Sequence, residues 1–356
     1  MKKRGIAVIG RVAEGVPLLD GQTVKTNILR DELRRSFPDR KLICVDTYQY
    51  RRRVIPVLWN TLRAFFECEY IFVLLSKNGR RFFFPILTGL NTVFHRRLYH
   101  DVIGGALPDE VRARPALGKQ LNRFEVNWVE FSAMKEALAQ LGVTNAEVLP
   151  NFKRLKILSE DQLPETDRNP FVFTMFSRVT KEKGVEEAAA AIAEVNRQYG
   201  EKRAVLHIYG PVESVYQAEF EKLLEKHSDA VFYQGCVPYE KSVQTLCNSF
   251  LLLFPSTYYG EGLPGTIIDA FSAGLPVIAT DWHFNAELVR SGETGYCYSW
   301  KEPRQLVKWM CYAMEHPDEV EAMRPACLRE AKKYTPEAVM PQICRKMQIS
   351  KQENVG

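Results

Sequence analysis

Two short segments hold the residue types that could act on a charged ligand. In residues 258–279 (YYGEGLPGTIIDAFSAGLPVIA), an apolar run, Phe250–Phe254, ends at Pro255-Ser256, and Gly260-Glu261-Gly262 turns into a helical pattern beginning near Pro264. Glycines at 260, 262 and 265 let backbone amides approach a ligand closely, and the helix N-terminus adds N–H groups with partial positive charge. In physical terms this is a phosphate cradle. Glu261 sits in the turn, facing whatever those amides hold. Asp269, about two helical turns further on, lies on the face that could meet the same ligand. Each acid has a plainer role open to it, Glu261 as a helix cap and Asp269 as a solvated helix residue. Their joint spacing behind Gly-Glu-Gly favours the ligand.

The second segment, residues 173–184 (FTMFSRVTKEKG), ends a hydrophobic strand at Ser177 and then carries Arg178 and Lys183 into a helix rich in alanine and glutamate. Two cations at a strand's carboxyl end can converge on a diphosphate, the arginine as a planar fork and the lysine as a point charge; an ordinary solvated loop is the alternative. Near the start, the strand-like Gly5–Gly10 leads to Asp20-Gly21-Gln22-Thr23-Val24-Lys25-Thr26. Gly21 and Gln22 could line a cleft, with Lys25 or Thr26 touching an acceptor, and a simple capped turn fits equally well. No Gly-x-Gly-x-x-Gly fingerprint is present, so a nicotinamide dehydrogenase loses its main support.

The elements that must position these groups alternate. Short apolar runs expected as strands fall at Gly5–Gly10, Lys41–Asp46, Tyr70–Ser76, Leu98–Ile103, Trp128–Phe131 and Glu147–Leu149, and again at Phe171–Ser177, Val205–Tyr209, Val231–Gln234, Phe250–Phe254, Pro276–Ala279 and Gly295–Tyr298. Helical patterns separate them, among them Arg80–His95, Asp109–Arg123 and Pro303–Glu315. Such alternation predicts parallel sheets with crossover helices. The expected architecture is α/β with two Rossmann-like doubly wound domains: residues 1–150, a linker at 151–170, and residues 171–335. Thr335-Pro336 opens a last amphipathic helix over about 336–350 that could return to the first domain, before a frayed tail at Lys351–Gly356. Ligands of such sheets bind at the carboxyl ends of the strands, so a cleft between the domains is the expected site.

Composition narrows the class. The 356 residues are 26% charged and 46% hydrophobic, which suits soluble domains and excludes a polytopic membrane protein. The net charge of +5 is unevenly spread: residues 1–150 carry +9 and the remainder −4. The basic part should meet something acidic. The eight cysteines include no Cys-x-x-Cys pair and read as reduced, mostly buried thiols. No signal peptide is visible, and the apolar stretch Phe82–Phe94, broken by Pro85, Gly89 and Asn91, is too short to span a bilayer. No Asp-x-Asp or His/Cys cluster suggests a metal.

SRVTKEKG and EGLPGTIIDAFSAGLPVIATD together resemble the retaining glycosyltransferases of the GT-B fold, family 4-like. DGQTVKTNILRDEL, VIGGALP and VEFSAMKEALAQLGVTNAEVLPNFK resemble a bacterial subgroup that builds surface polysaccharides. The resemblance implies a nucleoside-diphosphate sugar bound mainly by the second domain, an acceptor bound by the first, and no cofactor. Arg178 and Lys183 match the diphosphate-binding pair. Glu261 matches the first acid of a Glu-x7-Glu motif that contacts the donor sugar, and Gly262, Leu263, Pro264, Gly265 and Thr266 match the amide-rich turn beneath the diphosphate. Asp269 stands where the family has a second glutamate on the ribose hydroxyls; the side chain is one methylene shorter but still accepts two hydrogen bonds. Many relatives carry a histidine near the reacting carbon. Here His100 falls inside a strand and reads as structural, leaving Gly105 amides to line the cleft.

The expected activity is therefore metal-independent transfer of a hexose-type sugar, with retention, to an acceptor hydroxyl in surface polysaccharide or glycolipid assembly. Glu261, Arg178 and Lys183 carry the catalysis. Other readings are a non-catalytic nucleotide-sugar-binding protein and a sugar-nucleotide epimerase on the same fold. A nucleic-acid partner is not expected, because no recognition module accompanies the basic half. The protein is expected in the cytoplasm, with the first domain peripheral at an anionic membrane face if the acceptor is lipid-linked. Arg80–His95, with Phe82, Phe83, Phe84, Leu87 and Phe94 between arginines, is the candidate interfacial helix. The same pattern also fits a packed core helix.

Overall fold

A computed structural model describes residues 4–16, 20–166 and 168–347. The chain forms two compact units, one of residues 1–153 with 336–356 and one of residues 154–335. The expected tail at Lys351–Gly356 lies outside the described residues.

The first unit is a six-stranded sheet of β1 (Gly5–Gly10), β2 (Leu42–Asp46), β3 (Cys68–Leu74), β4 (Arg97–Asp101), β5 (Val126–Val129) and β6 (Ala146–Val148). Its order is β2-β1-β3-β4-β5-β6, with every pairing parallel. The second repeats the plan with β7 (Phe171–Phe176), β8 (Ala204–Tyr209), β9 (Val231–Gly235), β10 (Leu251–Phe254), β11 (Val277–Thr280) and β12 (Gly295–Tyr298), in the order β12-β11-β10-β7-β8-β9. Central strands are apolar on both faces because helices cover both: β3 buries Phe72, Val73 and Leu74, and β10 buries all four of its residues. Phe72, Tyr99 and Trp128 stack across β3, β4 and β5, with ring centroids 5.1 and 5.4 Å apart at successive steps.

The terminal helix, Pro336–Met347, belongs to the first unit: Val339, Met340, Ile343 and Met347 join the core around Ile6, Phe72 and Trp128. Arg97 donates to the carbonyls of Lys346 and Met347, both at 3.1 Å, and so caps that helix with a cation.

Several local expectations need correction. The linker expected at 151–170 is divided between the units, residues 151–153 belonging to the first and 154–170 to the second. Leu158 N–H donates to the Ser272 carbonyl at 3.0 Å, and Arg324 donates to Pro164 O at 2.7 Å, so the stretch is bound along the second unit. The single helix expected over Asp109–Arg123 is two, Leu107–Ala113 and Pro115–Leu121, because Pro115 lacks the N–H that would carry the first onward. A helix at Pro317–Ala331 was not expected. Its signals were Pro317 at the first turn followed by Asp318 and Glu319. The helix predicted over Arg80–His95 spans Lys77–Phe94, and its apolar face is core: Phe83, Phe84 and Leu87 are fully buried. Arg80 is buried too, donating to Glu110 and to the Leu75 carbonyl at 2.6 Å each. His95 does end that helix, in the left-handed conformation with its N–H on Asn91 O.

Candidate functional site

The site in the second unit is built by two loops leaving neighbouring strands. β7 is flanked by β8 on one side and β10 on the other, so the strand order reverses there, and a crevice opens at the carboxyl ends of such strands. The loop after β7 carries Arg178 and Lys183; the loop after β10 carries Ser256, Tyr258 and Glu261. Thr257 N–H donates to Glu182 O at 2.9 Å, and the Thr266 hydroxyl donates to the Phe176 carbonyl. Gly184 has φ +76°, and a Cβ there would lie 2.4 Å from the Pro255 carbonyl oxygen. Only glycine permits this approach of the two loops.

Lys183 and Glu261 meet in that crevice. Lys183 Nζ lies 2.5 Å from Glu261 Oε2, the Ser256 hydroxyl donates to the same oxygen at 2.8 Å, and both charged residues are under a tenth exposed. The Tyr258 ring faces both cations, with Lys183 Nζ at 5.2 Å and the Arg178 guanidinium carbon at 5.7 Å from its centroid. Arg178 and Lys183 thus share the Tyr258 ring, and Glu261 stands on the lysine itself. Gly262, Leu263 and Pro264 lead directly into the helix Gly265–Ser272, which has no side-chain cap and no acid in its first turn.

Asp269 is not a solvated helix residue. It is 2% exposed and accepts from the Ser242 hydroxyl at 2.9 Å. Tyr239 lies near enough for the Asp269 charge to help hold its phenol well above its ordinary pKa, after burial as the larger cause. Ser256, Tyr258 and Ser242 were missed as functional candidates. Ser256 had a visible signal, a hydroxyl at the end of a buried strand five residues before the glutamate. Ser242 had none, since its partner is twenty-seven residues away.

The first-unit candidates separate. Gly21 opens the helix Gly21–Ser36, capped by Asp20, and is exposed; Gly105 is buried. Gln22 is 8% exposed and donates to Leu74 O at 3.2 Å. Thr26 is fully buried, its hydroxyl on the Gln22 carbonyl, so it is not open to an acceptor. Lys25 is also buried: its ammonium sits 2.7 Å from Asp101, 2.8 Å from Glu130 and 2.9 Å from the Val102 carbonyl. Burial holds the Asp101 carboxyl above its usual range against the pull of Lys25.

His100 lies inside β4 with no exposed surface. Its Nδ1 is 2.9 Å from Asn127 Oδ1, and the ring packs against Phe84 and Phe124. Burial, and then the charge of Arg80, push its pKa down to about 3.

Known proteins resemble this chain in fold and, over part of its length, in sequence. Residues 159–330 match the family model for glycosyl transferases group 1, which supports a glycosyltransferase, and the fold is GT-B. Anabaena HepE, solved in complex with UDP, is 16% identical, with a TM-score of 0.77 over 97% of this chain and 99% of that one. A sucrose-phosphate synthase from Thermosynechococcus elongatus is also 16% identical, with a TM-score of 0.76 over the same shares. In sequence, two uncharacterized glycosyltransferases of Methanocaldococcus jannaschii are 28% and 22% identical over 38% and 46% of this chain. The matched stretches span only 34% and 42% of those relatives' own lengths.

The neutral burial of His100 has a measurable consequence. Between pH 6.5, its ordinary value, and about 3, an unfolded chain takes up a proton that the native one refuses, so stability present above pH 6.5 is lost as pH falls. In denaturant titrations from pH 6.5 to 4.5, the wild type should lose up to ~1.4 kcal/mol per pH unit more than His100→Gln. Parallel profiles for the two proteins would show that His100 takes up its proton as readily in the native state.

Proposed function

We propose that this protein transfers a hexose-type sugar from a nucleoside diphosphate to an acceptor hydroxyl with retention at the anomeric carbon, in surface polysaccharide or glycolipid assembly. The observation that carries this reading is the buried Lys183–Glu261 pair beside Arg178 at the carboxyl ends of β7 and β10, ahead of an uncapped helix start. A diphosphate placed there would find a guanidinium fork, an ammonium and backbone amides in a dry crevice, where such groups act strongly on developing charge. HepE was solved with UDP, with UDP-glucose, and with UDP and glucose, which makes a uridine-diphosphate sugar the first donor to test.

In the proposed reaction the bond from the anomeric carbon to the diphosphate oxygen breaks as the acceptor oxygen bonds to the same face. The acceptor proton passes to the departing phosphate, so no enzyme nucleophile is used. Arg178 and Lys183 hold the charge that accumulates on the leaving group. Glu261 turns from Lys183 toward the sugar hydroxyls, and Asp269, kept in place by Ser242, accepts from the ribose. The positive charge of these side chains takes the part a divalent ion would play, and we propose no metal.

Peripheral binding of the first unit to an anionic membrane face belongs to the same reading, through a different helix from the one expected. Val54–Glu67 turns Ile55, Trp59 and Phe66 outward, 82%, 68% and 64% exposed, and the exposed arginines 51, 52, 53 and 63 accompany them. Apolar side chains between arginines suit an acidic lipid surface.

Glu261→Gln should abolish transfer while circular dichroism stays native, and Asp269→Glu should keep more donor affinity than Asp269→Ala. Activity should survive excess EDTA. Wild-type turnover by Glu261→Gln would remove that residue from the mechanism. In liposome co-sedimentation, wild type should pellet with anionic vesicles at low salt and be released by high salt, and Ile55→Ser/Trp59→Ser should stay in the supernatant. Equal pelleting of that variant would discard the helix as the docking face.

A further inference from the structure

The first sheet has its own point of reversal. β1 is flanked by β2 and β3, and at the carboxyl ends of these three strands lies a cavity of about 600 Å³. Its walls come from the residue after β1 (Arg11), the loop after β2 (Thr47 to Arg52) and the start of the helix Lys77–Phe94. Asp46 fixes the first two: one of its carboxylate oxygens accepts from both Val12 N–H and Tyr48 N–H at 2.9 Å.

The wall is positively charged. Among the described residues lining the cavity, Arg11, Arg51 and Arg52 are set against one acid, Asp20, which is already engaged, capping its helix at Thr23 and pairing with Arg11 at 3.3 Å. Among the described residues the side chains of Arg51 and Arg52 have no hydrogen-bond or ion-pair partner. The helix starting at Lys77 has no side-chain cap and no acid in its first turn, and Ser76, Asn78 and Gly79 line the cavity. A second feature points to a ligand independently of these charges. Thr47 is 7% exposed and lines the cavity; its backbone is bonded to Gly10 and Tyr50, but its hydroxyl has no partner among the described residues. The residue is more than nine-tenths buried, and a ligand oxygen at this wall would find a free donor in its hydroxyl.

We propose that this cavity binds a phosphate group, monoester or diphosphate, carried by the acceptor. The proposal rests on the reading of the first unit as the acceptor side and names the acceptor's chemistry. Three guanidinium forks, a hydroxyl and a helix start offer more donors than the two oxygens of a carboxylate can use. A phosphate brings three terminal oxygens and close to two negative charges. The phosphate can be borne by a soluble sugar or glycerol phosphate, or by a lipid headgroup.

Hydrogen–deuterium exchange on the full chain, titrated with inorganic pyrophosphate, reads each unit separately. Exchange should slow over residues 44–53 and 74–82. Arg51→Gln/Arg52→Gln should raise the midpoint concentration for that protection roughly tenfold or more, and Thr47→Val severalfold. No slowing over those residues, or an unchanged midpoint in the double variant, overturns the proposal. Residues 176–186 report the donor side in the same data, so failure of one reading is not mistaken for failure of the other. Repeating the titration with glycerol 3-phosphate, and with phosphatidylcholine vesicles containing phosphatidic acid, identifies the source as whichever protects at lower phosphate concentration. Protection by neither overturns the assignment to an acceptor phosphate, as does equal protection by glucuronate.

Discussion

A lysine and a glutamate buried against one another, Lys183 and Glu261, set the terms for the second unit. Two charges withdrawn from water are tolerable only as a pair with further hydrogen bonds, and removing one partner from such a pair typically costs ~3–5 kcal/mol. Ser256 supplies a bond to the carboxylate, and the Tyr258 and Phe254 rings lie within 5.2 and 5.4 Å of the ammonium. Much of the surrounding backbone serves this meeting: Gly184 lets one loop touch Pro255, and Thr266 ties the helix start to the end of β7. In the proposed function the pair is a charge held ready, with the carboxylate occupying the lysine until a phosphate oxygen takes its place.

The first unit spends its buried charges differently. Lys25 reaches from its helix to Asp101 and Glu130 at the ends of β4 and the strand beside it, and all three are closed to solvent. That cluster clamps a helix to the sheet. Arg51 and Arg52, whose side chains have no partner among the described residues, lie instead over β1, β2 and β3, where the strand order reverses. Both sheets therefore place cations at the position where an open α/β sheet leaves a crevice.

Much of this was legible in the residues. All twelve strands were visible as apolar runs, displaced by two residues at most where the apolar run outlasts the pairing, as at Tyr70–Ser76 against Cys68–Leu74. The Arg178, Lys183 and Glu261 loops were visible because glycine and charge at a strand's end have few structural uses. What stayed hidden depends on distant partners. Ser242 meets Asp269 only through the fold, and Lys25, read as a residue that could touch an acceptor, is instead buried against Asp101 and Glu130, partners seventy-six and one hundred and five residues away. The helix Lys77–Phe94 misled for another reason. Its arginines flank an apolar stripe as in an interfacial helix, but Arg80 has a buried partner in Glu110, which periodicity cannot reveal.

In the proposed function Glu261 competes with the donor's phosphate for Lys183, and affinity for a nucleoside diphosphate lacking the sugar tests that most directly. Calorimetry would use whichever of the uridine, guanosine and adenosine diphosphates best stabilises the wild type in a thermal-shift screen. Lys183→Ala should weaken binding about tenfold or more, while Glu261→Gln should bind as tightly as wild type or more tightly. A Glu261→Gln protein that loses affinity as severely as Lys183→Ala would contradict the account, because the carboxylate would then be holding the phosphate site together and not reserving it.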